Sequence, residues 1–115
     1  MALIHTQLEK LLLALEVQLQ ELALWQADMP SAQDLNSTQP FSCDTLTFAQ
    51  WLQFIFIAKI SELNRAEASL PATISICPMA EESFKHLGKQ AAMLINVIAD
   101  IDELLSGKRV QTLYV

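Results

Sequence analysis

The chain has 115 residues, of which 52% are apolar, and thirteen acidic side chains outnumber seven basic ones to give a net charge of −6. That length is one ordinary domain with room for a real core, and two glycines and four prolines leave too few tight turns for an all-β fold. The cations are scattered, so no basic stripe exists to follow a phosphate backbone, and direct nucleic-acid binding is not expected.

Two cysteines, Cys43 and Cys77, stand outside any CxxC pair. They are too few for a disulfide framework and read as reduced thiols in a cytoplasmic protein. The N-terminal stretch lacks a basic region and a small-residue cleavage site, and Glu9 and Glu16 interrupt its apolar run, so it does not read as a signal peptide. The longest charge-free stretch, Thr45 to Ala58, is too short to span a bilayer, so no membrane association is expected.

Helix one is expected over Leu3 to Gln26, with Thr6 and Glu9 as a candidate capping box that leaves its start open within the first six residues. Leu8, Leu11, Leu12, Leu15, Leu19 and Leu22 recur at the spacing of one buried face, widened by Leu13, Val17 and Leu24. A leucine stripe can also be a partner-binding seam, but the core face of a bundle helix explains this one more simply. Asp28, Pro30 and Ser31 end the helix. From Met29 to Leu46 the chain is rich in Ser, Asn, Asp, Gln and Pro and reads as a long loop, which Phe41 and Leu46 could anchor in the core.

The second long helix is the most apolar stretch of the chain. Thr47 and Gln50 form a capping box at its start. Phe48, Trp51, Leu52, Ile55 and Phe56 make one apolar face and Phe54, Ile57 and Ala58 another, so the helix is expected to be wrapped by the others, with Trp51 largely buried. Polarity returns at Ser61, Glu62, Asn64 and Arg65, and Pro71 lies well beyond the last turn. LPATISICPM reads as extended loop, because a lone strand would have no partner. Pro78 suits the first position of a short third helix ending near Gly88. The fourth helix is expected from Lys89 to Leu105, burying Ala91, Leu94, Ile95, Ile98, Ile101 and Leu105, with Gly107 as its stop and a loosely held tail KRVQTLYV. The whole, residues 1–115, is expected to be one all-α domain: an antiparallel four-helix bundle with a short third helix and a long loop between helices one and two.

Candidate chemistry is sparse. Glu81, Glu82, Asp100, Asp102 and Glu103 could serve acid–base work or hold a cation, but a solvated helix face needs such charges anyway. His5 and His86 have no ligand spacing and read as surface residues. Cys77, before Pro78 at a helix N-terminus, is where a thiol pKa falls, yet no His partner is apparent. No phosphate loop, GxSxG or zinc spacing occurs. No catalytic residue, metal site or cofactor is expected.

NSTQPF at Asn36 to Phe41, followed by Asp44-Thr45 and by Trp51-Leu52-Gln53, resembles the YqcC-like family of small bacterial proteins. The match extends more loosely over most of the chain, with Trp25 near the end of helix one. The resemblance implies an all-helical bundle and a link to tRNA pseudouridine synthase C, whose gene often neighbours those of the family and whose name some members carry. It does not imply that activity: a synthase needs a catalytic Asp on a much larger α/β scaffold. The expected function is therefore a non-enzymatic interaction protein, accessory to such an enzyme, contacting its protein partner through Asn36, Ser37, Thr38, Gln39, Pro40 and Phe41. The alternative is a binder of small apolar ligands or lipid tails on the aromatic central helix. The high apolar fraction also suggests a homodimer, with helix one as its interface.

Overall fold

The computed structural model describes residues 3–114. Its architecture is all-helical, with four longer helices and no strand among the described residues. α1 (Leu3–Glu21) turns Leu8, Leu12, Leu15 and Leu19 inward, none more than 5% exposed. Leu13 and Val17, expected to widen that face, are 61% and 40% exposed. The helix ends at Glu21 instead of Gln26. Ala23 there adopts a left-handed conformation (φ 59°), its N–H donating to the Gln20 carbonyl (3.1 Å) while the Leu24 N–H donates to the Leu19 carbonyl (2.8 Å). This pair of bonds is the Schellman closure, which usually takes glycine. Alanine, a strong helix former, gives no warning of it.

The long connection is more ordered than its composition suggests. Ser31 Oγ accepts the Asp34 N–H (3.1 Å) and caps a single turn, α2 (Ala32–Leu35). A 3-10 turn follows at Pro40–Ser42, with Phe41 (φ 56°) and Ser42 (φ 50°) both left-handed. Leu46 enters the core as expected.

α3 occupies residues 48–65 in three parts: Phe48–Trp51, a π-helical stretch Leu52–Ile57, and Ala58–Arg65. The expected capping box is present: the Gln50 N–H donates to Thr47 Oγ1 (3.1 Å) and the Thr47 N–H to Gln50 Oε1 (2.8 Å). The π stretch was not expected. On an α-helix, residues five apart lie about 140° apart around the axis. Widening the turn to i→i+5 bonding brings them onto one face. Trp51 and Phe56 therefore stack, with ring centroids 5.5 Å apart. α3 closes as α1 does, with Glu67 left-handed (φ 52°), its N–H on the Asn64 carbonyl and the Ala68 N–H on the Leu63 carbonyl.

α4 (Cys77–Phe84) has Pro78 in its first turn, as expected. It runs into a 3-10 segment, Lys85–Ala91, broken at Gly88 (φ 59°, ψ −138°), and then into α5 (Ala92–Ser106). All six residues assigned to the buried face of the last helix are buried. Gly107 (φ 77°) ends it, donating its N–H to the Glu103 carbonyl (2.9 Å). α5 packs on α1 and α4, and α1 also packs on the second half of α3.

Candidate functional site: an aromatic cleft and the loop beside it

Of the six loop residues singled out in the sequence, Asn36, Thr38, Gln39 and Pro40 are exposed, and Ser37 and Phe41 are half-buried. Part of the loop's polarity goes into holding its own shape. Ser37 Oγ donates to the Asp44 carboxylate and accepts the Gln39 N–H (3.1 Å), and Thr45 Oγ1 donates to the Asp34 carbonyl (2.7 Å). The side chains of Asn36, Thr38 and Gln39 make no hydrogen bond among the described residues, and they face solvent.

Phe41 joins this loop to the central helix. Its ring stands edge-on to Trp51 (centroids 4.9 Å apart, planes 79°) and to Phe48 (5.7 Å, 72°). Phe48 in turn stacks on Trp51 (5.6 Å) and leans on Phe84 of α4 (5.7 Å). Edge-on and offset pairs of this kind contribute about 0.5–1.5 kcal/mol each beyond the area they bury. Trp51, expected to be largely buried, is only partly so, and it is among the residues that line a cleft of about 550 Å³. Phe41, Trp51 and Phe56 form one end of that cleft, Lys59 and Leu63 continue along α3, and Leu70 and Ile74 of the following connection close the far side. The π-helical turn creates the aromatic end wall by stacking Phe56 on Trp51.

Gln53 was missed in the sequence. It is 8% exposed, and its amide pairs with both backbone groups of Gln26: Nε2 donates to the carbonyl (2.7 Å) and Oε1 accepts the N–H (2.9 Å). It thereby ties the chain leaving α1 to the wall of the aromatic cluster. A glutamine beyond the capping box, flanked by apolar residues inside a charge-free stretch, was the available signal, since a polar group buried there must be paired.

The residues considered for catalysis are not all gathered in one place. Cys77 is fully buried, its Sγ 4.0 Å from the Ile95 carbonyl. Burial first, and then the carboxylates of Glu81 and Asp102, push its thiol up to about 12. The helix N-terminus was expected to lower it, and desolvation prevails. Asp102 is not on a solvated face. It is 2% exposed and reaches across from α5 to accept the N–H groups of Ile76 (2.8 Å) and Cys77 (2.8 Å), capping α4 from another helix. Burial raises its pKa above 3.8 although these hydrogen bonds oppose the shift.

Glu81, 9% exposed, accepts the Thr112 N–H (2.8 Å) and hydroxyl (3.0 Å) and the Leu113 N–H. Asp100 and Glu103 do share a face, and both bind the Arg109 guanidinium (2.5 and 3.2 Å). The tail expected to be loose is thus strapped to α4 and α5. Glu82 pairs with Lys85 in solvent (2.8 Å). His86 is exposed, but His5 is only half so. Its carbonyl accepts from Asn64 Nδ2 (2.9 Å), and its Nδ1 is buried without a hydrogen-bond partner among the described residues.

The family model described as tRNA pseudouridine synthase C matches residues 7–104. The chain belongs to that YqcC-like family. A protein of Haemophilus influenzae named only as uncharacterized is 36% identical over 90 residues, which span 78% of this chain and 84% of that protein. The uncharacterized protein YqcC of Escherichia coli is 30% identical over 102 residues, 89% of this chain and 94% of its own. The solution NMR structure of YqcC superposes with a TM-score of 0.80 at 28% identity, covering 96% of this chain and 95% of that one. A Pectobacterium carotovorum protein named tRNA pseudouridine synthase C is 33% identical over 86 residues, which make up 75% of this chain but only 23% of that longer protein. Among the described residues of this chain, no helix is long and apolar enough to cross a membrane.

Proposed function

We propose that this chain is a non-enzymatic accessory to a tRNA-modifying enzyme of the pseudouridine synthase C kind, acting by contact with that protein. The observation that carries this reading is the Pectobacterium relative, in which the matched segment is a minor part of a longer chain bearing the synthase name. A module that occurs alone in some proteins and joined to a larger partner in others fits a role beside that partner. The burial and raised pKa of Cys77 favour a non-catalytic role over nucleophilic chemistry. In this reading residues 1–115 form one cytoplasmic domain, and the four longer helices pack as an antiparallel bundle.

The contact surface is the loop Asn36, Ser37, Thr38, Gln39, Pro40 and Phe41. Its exposed amides and hydroxyl stand beside a half-buried aromatic ring, the mix of adaptable polar groups and an aromatic anchor that interfaces favour. The test is titration calorimetry of the purified chain against the synthase of the same organism. Binding that Gln39→Ala and Thr38→Ala weaken at least fivefold, with helical circular dichroism unchanged, is the expected result. No heat at high micromolar concentrations of both proteins overturns the reading.

A homodimer through α1 belongs to the same proposal, supported by exposed Leu3 (71%), Leu13 and Val17. Light scattering that finds monomer alone at high micromolar concentration removes it. A second function, binding of a small apolar ligand, is favoured by one observation: the preformed cleft beside Trp51, whose volume of about 550 Å³ suits small molecules.

A further inference from the structure

Most of the side chains lining the cleft beside Trp51 are apolar. The chain carries a net charge of −6, yet the one charged side chain lining the cleft is a cation, Lys59. Its side chain is exposed, and its ammonium has no carboxylate or hydrogen-bond partner among the described residues. The residues around it are apolar: Trp51 and Phe56 at one end, Ile60 and Leu63 along α3, Leu70 and Ile74 opposite. The remaining polar groups, the hydroxyls of Ser69, Thr73 and Ser75, come from the connection on the far side and make no hydrogen bond among the described residues. A concave apolar slot with a few polar groups and one cation at its exposed edge suits a ligand that has an apolar body and a single opposite charge. The π-helical turn that builds the aromatic wall is a type of irregularity that recurs at functional sites.

We infer that this cleft binds a free amphipathic monocarboxylate, its hydrocarbon chain laid against Trp51, Phe56 and Leu63 and its carboxylate on the Lys59 ammonium, with the facing hydroxyls as further donors. This deepens the ligand-binding reading above and rests on it. The chain's own negative charge adds selectivity, since a dianion would meet the field of the whole protein while a single carboxylate is matched by Lys59. The apolar tail supplies most of the affinity through the hydrocarbon surface it removes from water. The carboxylate fixes direction and discriminates against neutral chains.

The experiment uses the full chain with decanoate and with decanol, both below aggregation, followed by two-dimensional NMR. Decanoate is expected to shift the Trp51 indole together with Leu63 and Ile74, saturably, and decanol to shift the same signals with about fivefold weaker affinity. Lys59→Met keeps the apolar stem and removes the charge. It is expected to lower decanoate affinity about fivefold and to leave decanol binding unchanged. Equal affinities for the two probes, or no effect of Lys59→Met on decanoate, overturn the carboxylate assignment while the apolar cleft stands. Shifts from neither probe, or shifts scattered away from the cleft, overturn the cleft reading and the assignment together.

Discussion

Replacing Asp102 by alanine strands the Ile76 and Cys77 N–H groups, both of which it holds at the buried start of α4. A buried donor left unpaired costs about 1–3 kcal/mol, so Asp102→Ala is expected to destabilise the fold by about 3 kcal/mol, read from the denaturant midpoint. A loss below about 1 kcal/mol contradicts the capping role. The group also carries a pH signature. Burial raises its pKa above 3.8, so the folded state binds this proton more tightly than the unfolded chain does. Its contribution to stability is full below 3.8 and is lost as pH rises through the raised value. Asp102→Asn cannot titrate. The stability difference between the two proteins should therefore move in favour of the native sequence as pH falls from neutrality towards 3.8, and a constant difference over that range would falsify the assignment. None of this was legible in the sequence, where Asp102 shares a short acidic run with Asp100 and Glu103. The three diverge in fate because α5 turns Asp102 to the core and the other two towards Arg109.

At the scale of elements, helix cores were legible and helix ends were not. The leucines of α1 and the aliphatic face of α5 follow helical periodicity; the face of α5 is buried, and so are Leu8, Leu12, Leu15 and Leu19 of α1, with Leu11 and Leu22 partly exposed. Thr47–Gln50 announces its helix because both partners of a capping box lie within one turn. Ala23 and Glu67 announce nothing, since neither residue type favours the left-handed conformation that closes α1 and α3. That mismatch makes a prediction. A left-handed L-residue costs about 1–2 kcal/mol, and glycine avoids this cost while losing about 0.5–1 kcal/mol in unfolded-chain entropy. Ala23→Gly and Glu67→Gly are therefore each expected to stabilise the protein by about 0.5–1 kcal/mol. A lowered melting temperature for either refutes the closure described for that helix. The π stretch was illegible for a related reason. Apolar residues cover the central helix nearly all round, so its sequence shows no break in phase where the turn widens.

For the molecule as a whole, charge is the most direct guide to partners. Affinity for a polyanion grows with each phosphate neutralised, and here seven scattered basic side chains face thirteen acidic ones. Two of the cations, Lys85 and Arg109, are already engaged with carboxylates of the same chain. The isolated protein is expected to give no shift in a gel titration with bulk tRNA at physiological salt. Tight, salt-sensitive binding would overturn this and make an intermediary protein unnecessary. The helical class was evident from composition, because two glycines and a surplus of helix formers leave little else. The cleft was not. It depends on Phe41, Trp51 and Phe56 meeting residues of the 69–76 connection, and no periodicity within α3 reports on a partner segment of irregular backbone.

The long-range cap on α4 bears on how the chain folds. First-turn N–H groups of a helix ordinarily fray and exchange with solvent quickly, because nothing inside the helix holds them. Ile76 and Cys77 donate instead to a side chain 26 and 25 residues further along. That bond cannot form until α5 has docked, so α4 has no complete start of its own early in folding. The two elements gain their protection together as one cooperative unit. The amides of Ile76 and Cys77 then exchange only when α4 and α5 part, on the slow timescale of the core and not that of a helix end.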